Sequence, residues 1–125
     1  MTSVTFDTPA RITTIGAGAF QNAGLLSIHL PESVTTIEQS AFNSCQKLTK
    51  IDIPAATTSI DPKAFQFCGS LTELNADPGN PKYSSVDGFL LSKDKKTLIA
   101  FPPGKASTYY TMLPPTIEEI GPYAF

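Results

Sequence analysis

The sequence predicts a solenoid of stacked repeats, with parallel strands on one face, short helical turns on the other and one β-hairpin interruption. Three observations predict it. Ala-Phe pairs recur at Ala19-Phe20, Ala41-Phe42, Ala64-Phe65 and Ala124-Phe125, the first three 22 and 23 residues apart. An isoleucine stands five residues before each phenylalanine, at Ile15, Ile37, Ile60 and Ile120. A proline stands six residues before three of those isoleucines, at Pro31, Pro54 and Pro114. One such unit cannot bury its own apolar face, but stacked units pair strands and share a core.

Val4 and Phe6 read as the strand of a preceding, partial unit. The trios Leu25-Ile28-Leu30, Leu48-Ile51-Ile53 and Leu71-Leu74-Ala76 follow. The last two members of each trio are two apart, the strand period, so they point inward and their neighbours outward. Parallel strands are expected near residues 3–6, 26–30, 49–53 and 72–76, each ended by a turn residue such as proline, which has no N–H for the ladder. The other half of each unit reads as a short helical turn, near 17–23, 39–45 and 62–68. Asp61 stands at an N-cap position with Pro62 at the first helical position, and Gly24 and Gly69 are C-terminal stops. Phe20, Phe42, Phe65 and Phe125 then form a core spine with Cys45 and Cys68 beside it; each ring contributes roughly 1.5–3 kcal/mol of burial.

Residues 77–113 break the pattern. Asp77-Pro-Gly-Asn-Pro81 is a turn signal. Ser85–Leu91 and Thr97–Phe101 flank the polar Ser92–Lys96 and read as a β-hairpin with a five-residue tip. The hairpin takes the place of one helical turn, and the chain rejoins the stack at Pro114. The expected organisation is one domain over 1–125, with regular repeats over about 3–76, an irregular hairpin repeat over about 77–113 and a partial repeat over 114–125. That is about four and a half units, at a period in the leucine-rich repeat range.

Composition excludes several classes of function. A net charge of -2 leaves no electrostatic footprint for nucleic acid or an anionic membrane. Hydrophobic residues, at 41%, are too many for disorder and too interrupted to insert in a membrane. The start, Met1-Thr-Ser-Val-Thr-Phe, lacks a basic segment followed by an apolar run, so no signal peptide is expected, and no anchor motif is visible. Cys45 and Cys68 occupy the same repeat position, close enough on stacking for a disulfide, but a core position favours buried free thiols.

Candidate chemistry is sparse. His29, the only histidine, lies between inward Ile28 and Leu30 and faces out; without cysteine or carboxylate partners at ligand spacing it is an exposed strand residue rather than a metal ligand. It has no triad partners either. Glu118-Glu119 and the pair Glu32/Glu38 belong to turns with no implied cleft. Lys93-Asp94-Lys95-Lys96 is a solvated basic tip, and Gly16-Ala-Gly18 lacks the remainder of a phosphate loop. No cofactor and no catalytic residue is implied. The outward strand positions are more informative: Ser3 and Thr5, then Ser27, His29, Lys50, Asp52, Glu73 and Asn75. Stacking lines them up as a polar ladder, the extended surface on which solenoids bind.

Pro-x-x-Val-x-x-Ile, Ala-Phe-x-x-Cys and Leu-x-x-Ile-x-Ile-Pro together resemble the BspA-type leucine-rich repeat. Asn80-Pro-Lys-Tyr83, Val86-Asp-Gly88, Lys96-Thr-Leu-Ile99 and Pro103-Gly-Lys105 resemble the interruption such proteins carry. The resemblance implies a right-handed leucine-rich repeat solenoid in a cell-surface or secreted protein of adhesive function, non-catalytic, with a host or cell-surface protein as partner. It departs from the pattern in a first unit one residue shorter between Phe20 and Leu25, in Ala23 at the Cys position, and at Phe125, mid-repeat. That last departure raises the expectations of a fragment of a longer array and of self-association through an open C-terminal end. A structural spacer without its own ligand, or part of a carbohydrate-active enzyme, are the alternatives.

Overall fold

A computed structural model describes residues 3–6, 11–105 and 113–125. Its repeats stack through two separate parallel ladders. The first was not expected. It joins β1 (Thr14–Ile15), β2 (Thr36–Ile37) and β4 (Ser59–Ile60), with Ile15, Ile37 and Ile60 in register. Before each strand the chain makes a tight turn in which Val34 N–H donates to Pro31 O and Thr57 N–H to Pro54 O. The isoleucine of the motif is therefore a strand residue.

The second ladder joins β3 (Lys50–Ile53) to β5 (Glu73–Ala76), close to the expected bounds, with Ile51 against Leu74 and Ile53 against Ala76. Residues 3–6 and 26–30 form no strand, contrary to expectation. Leu25, Ile28 and Leu30 are buried as their spacing requires. The shorter approach from Phe20 leaves their backbone outside the ladder.

The helical turns expected at 17–23, 39–45 and 62–68 are absent; each segment is an arc of successive tight turns. Alternate N–H groups bond locally and across the stack. Ala19 donates to Gly16 O and Ala23 to Phe20 O, whereas Phe20 donates to Ala41 O and Asn22 to Asn43 O of the next arc. An α-helix would instead bond each N–H beyond its first turn to its own carbonyl four residues back. Asn22, Ser40, Ser44 and Phe67 stand at φ 58–61°, left-handed values that interrupt any helix. Asp61 still caps, its Oδ1 accepting from Lys63 N–H at 2.8 Å. Phe20, Phe42 and Phe65 stack along the arcs at 5.5 and 5.9 Å.

The interruption begins as a normal repeat. Asp77 takes the proline's place, since Asn80 N–H donates to Asp77 O. Asn80 takes the valine's place and Tyr83 the isoleucine's. Asn80 is fully buried with its amide saturated: Nδ2 donates to Pro54 O and Thr57 O, and Oδ1 accepts from Lys82 and Tyr83 N–H. Thr57 donates from Oγ1 to Val34 O in the same sense. Thus Val34, Thr57 and Asn80 form a column in which each polar side chain grips the carbonyl one repeat earlier.

From Tyr83 the chain departs into a three-stranded meander: β6 (Tyr83–Val86), β7 (Phe89–Ser92) and β8 (Thr97–Ala100), rather than one hairpin. Asp87-Gly88, both at positive φ, is a two-residue hairpin turn within the segment expected to be one strand. The second turn is Lys93–Lys96, since Ser92 belongs to β7. β8 then pairs in parallel with β9 (Glu119–Ile120), and Phe101 N–H donates to Ala124 O as Phe20 does to Ala41 O. The stack is therefore rejoined at β8 and not at Pro114. Phe125 lies tilted against Phe101 at 5.1 Å between ring centres but is 61% exposed, so it lines the surface rather than the core. Its arc contributes only the buried Ala124 to a second cluster with Phe89, Leu91, Leu98 and Phe101.

The meander closes the free edge of β5. Gly88 O accepts from Leu74 N–H, while Ser85 Oγ accepts from Ala76 N–H and donates to Leu74 O. Gly104 N–H donates to Leu71 O, and a Cβ on Gly104 would lie 2.6 Å from Leu71 O and Ser70 C, closer than any side chain can stand.

Candidate binding face

The ladder of β3 and β5 places Lys50 opposite Glu73 and Asp52 opposite Asn75, all outward from a buried inner row. Asn75 Nδ2 donates to Glu73 Oε2 at 3.2 Å, which fixes both side chains on the rim. His29 and Ser27 are exposed as expected. His29, Asp52 and Asn75, from three successive repeats, line one groove of about 320 Å³. Ser27, Lys50 and Glu73 lie outside its walls.

Sequence reasoning missed two members of this groove, Glu32 and Asp77. Each stands at or beside the turn that opens the next repeat, a position read there as punctuation. The shared phase of Pro31, Pro54 and Asp77 was the available signal. With Asp52 they make the groove anionic, with His29 at one side. Among the described residues no group of three or more histidine, cysteine or acidic side chains is arranged to hold a metal ion.

The other candidates have structural employment. Glu38 Oε2 accepts from Ala17 N–H at 2.9 Å, tying two arcs together. Lys93 Nζ donates to Pro78 O, and Lys96 lies 3.4 Å from Glu118, an exposed pair worth about 0–1 kcal/mol. Asp94 accepts from Ser92 Oγ and Lys96 N–H, and these bonds hold its carboxyl below the usual range. Cys45 and Cys68 are buried free thiols that donate to the carbonyls of Phe20 and Phe42 at 3.1 and 3.0 Å. Burial raises both thiol pKa values, that of Cys68 to about 11. They are inert stitches between arcs, not nucleophiles. No described helix is long and apolar enough to cross a membrane.

Comparison with known proteins agrees with this architecture. Residues 1–102 match the family model described as the BspA type leucine rich repeat region, in six copies. Among solved structures, the crystal structure of the pneumococcal vaccine antigen PcpA is similar over 96% of this chain and 36% of that one, at 27% identity and a TM-score of 0.71. A leucine rich cell surface protein from Faecalibacterium prausnitzii A2-165 is similar over 82% of this chain and 27% of that one, at 32% identity and a TM-score of 0.69. A leucine-rich repeat protein from Eubacterium ventriosum ATCC 27560, at 17% identity and a TM-score of 0.56, shares the fold. The chain spans 27–45% of the length of these three structures. No curated protein matches it. The repeat phase, the two ladders and the family model lead to one statement: the chain belongs to the BspA-type leucine-rich repeat family.

Proposed function

We propose that this chain is a non-catalytic protein-binding module of a cell-surface or secreted adhesion protein, and that the groove between His29, Asp52 and Asn75 is its contact. The observation that carries the reading is the convergence of outward side chains from three repeats on one anionic groove, above a row that does all the packing. A rigid stack holds such side chains in place before a partner arrives, which lowers the ordering cost of binding. The neighbours described as a vaccine antigen and a cell surface protein support the surface setting. The partner fitting this groove is a host or cell-surface protein presenting a basic segment.

The test is the double variant Asp52→Lys, Asp77→Lys, measured for binding to intact target cells with the melting temperature as a control. Binding should fall about tenfold or more, as reversal of groove charges does. Undiminished binding with an intact fold would favour a second reading, a spacer that displays other domains. The absence of an aromatic anchor from the groove supports that second reading. Self-association belongs to the same proposal, supported by the exposed Phe67, Tyr123 and Phe125. Sedimentation at rising concentration tests it, and a strictly monomeric mass would exclude it.

A further inference from the structure

The column of phenylalanines has a gap on the arc side, away from the anionic groove. Phe20, Phe42 and Phe65 stack in succession, and Phe125 lies tilted against Phe101, but the meander supplies no arc between Phe65 and Phe101. A slot of about 200 Å³ occupies that place, lined by Phe65, Phe67, Leu74, Phe101 and Tyr123. Lys63 Nζ lies 4.6 Å from the centre of the Tyr123 ring and bridges its two sides. The slot is smaller than the roughly 300–1,000 Å³ of small-molecule sites, the right scale for a side chain and its backbone.

Its hydrogen bonding says what fits. At the first junction between arcs, Phe20 and Asn22 N–H donate to Ala41 and Asn43 O. At the second, Phe42 and Ser44 N–H donate to Ala64 and Gln66 O. The equivalent donors of the third arc are the N–H groups of Phe65 and Phe67, and neither meets an acceptor among the described residues. Phe67, at φ 61°, keeps the backbone conformation of Ser44 at 60°. The third arc is therefore set for a neighbour like the others, and unpaired N–H groups against an apolar wall seek an acceptor.

We propose that this slot receives a peptide segment of a partner protein, which adds the missing arc. The segment carries one aromatic residue. The carbonyl before it accepts from Phe65 N–H, the carbonyl of the residue after it accepts from Phe67 N–H, and its ring stacks on Phe65. This is the internal repeat's own chemistry offered to a second chain, as edge strands do in β-augmentation.

The probe is a capped peptide with the sequence of Gln39–Ser44, added to the full ¹⁵N-labelled protein while amide exchange and shifts are followed. In the protein alone the Phe65 and Phe67 amides should exchange faster than those of Phe42 and Ser44. Peptide should slow and shift them saturably, and a peptide carrying Phe42→Ala should bind about tenfold more weakly or worse. Protection of both amides without peptide would overturn the proposal. Concentration-independent protection would mean the chain fills the slot itself, and concentration-dependent protection would mean a second copy does. Equal binding of the alanine peptide, or changes confined to the His29 groove, would overturn it as well.

Discussion

The backbone N–H of Ile60 donates to the phenolic oxygen of Tyr83 at 3.1 Å. The two residues are one repeat apart, so the hydroxyl stands where the ladder of β1, β2 and β4 would next present a strand. A side chain ends what the backbone had continued. Burial pushes the phenol pKa above its ordinary value, and the bond from Ile60 N–H draws it partly back.

Tyr83→Phe should therefore destabilise the fold beyond the loss of one hydroxyl. The Ile60 N–H keeps its place without an acceptor, a loss of about 1–3 kcal/mol. A lower urea midpoint at unchanged slope checks it; an unchanged midpoint would show that water replaces the hydroxyl.

Asn80→Leu should be among the most damaging single changes. It leaves the carbonyls of Pro54 and Thr57 and the N–H groups of Lys82 and Tyr83 without their buried partner. A loss of about 3 kcal/mol or more is expected, measured by thermal unfolding. Thr57→Val, which removes one rung of the same column, should cost about 1 kcal/mol.

Gly104→Ala drives a methyl group into the Leu71 backbone. The turn at residues 102–105 would have to move away from Leu71, breaking the bond from Gly104 N–H to Leu71 O, with an expected loss of about 1–3 kcal/mol. Gly16→Ala is the control. Its added Cβ would meet only Glu38 Oε2, at 3.9 Å, and stability should change by no more than about 0.5 kcal/mol.

Stability should fall at alkaline pH. The ordinary thiol value is 9.0, and in the fold Cys68 is raised to about 11, with Cys45 also raised. Unfolded chains release these protons first, so the folded state holds more of them and loses stability as pH climbs. The contribution is complete below about 9 and is lost as pH passes through about 11. Urea midpoints between pH 8 and 11 check the slope, and Cys68→Ala should flatten it. Tyr83 adds to the decline above its ordinary value of 10.0.

Much of this was legible because the chain repeats. The spacing of Leu48, Ile51 and Ile53, and of Leu71 and Leu74, placed β3 and β5, and the outward positions between them include two residues of the groove, Asp52 and Asn75. The arcs were misread as helices because Asp61-Pro62 caps a tight turn as readily as a helix. Nothing local announces that Phe20 or Phe42 will donate across the stack. Asn80 and Tyr83 hid the start of the fourth unit, since polar side chains replace apolar ones at the diagnostic positions. Val86-Asp-Gly88 held an overlooked turn signal, masked by the apolar run around it. Glu32 and Asp77 join the groove through tertiary stacking alone.

The backbone bonds between arcs all run in one sense, against the thiol bonds of Cys45 and Cys68: the earlier repeat's N–H donates and the later repeat's carbonyl accepts, from Phe20 to Ala41, from Ser44 to Gln66 and from Phe101 to Ala124. Each arc thus has one face of N–H groups and one of carbonyls, and the two are complementary only to each other. Two-fold symmetry would set donor against donor. Copies joining through arc faces must do so head to tail, a heterologous contact that yields rings or fibres rather than isologous dimers.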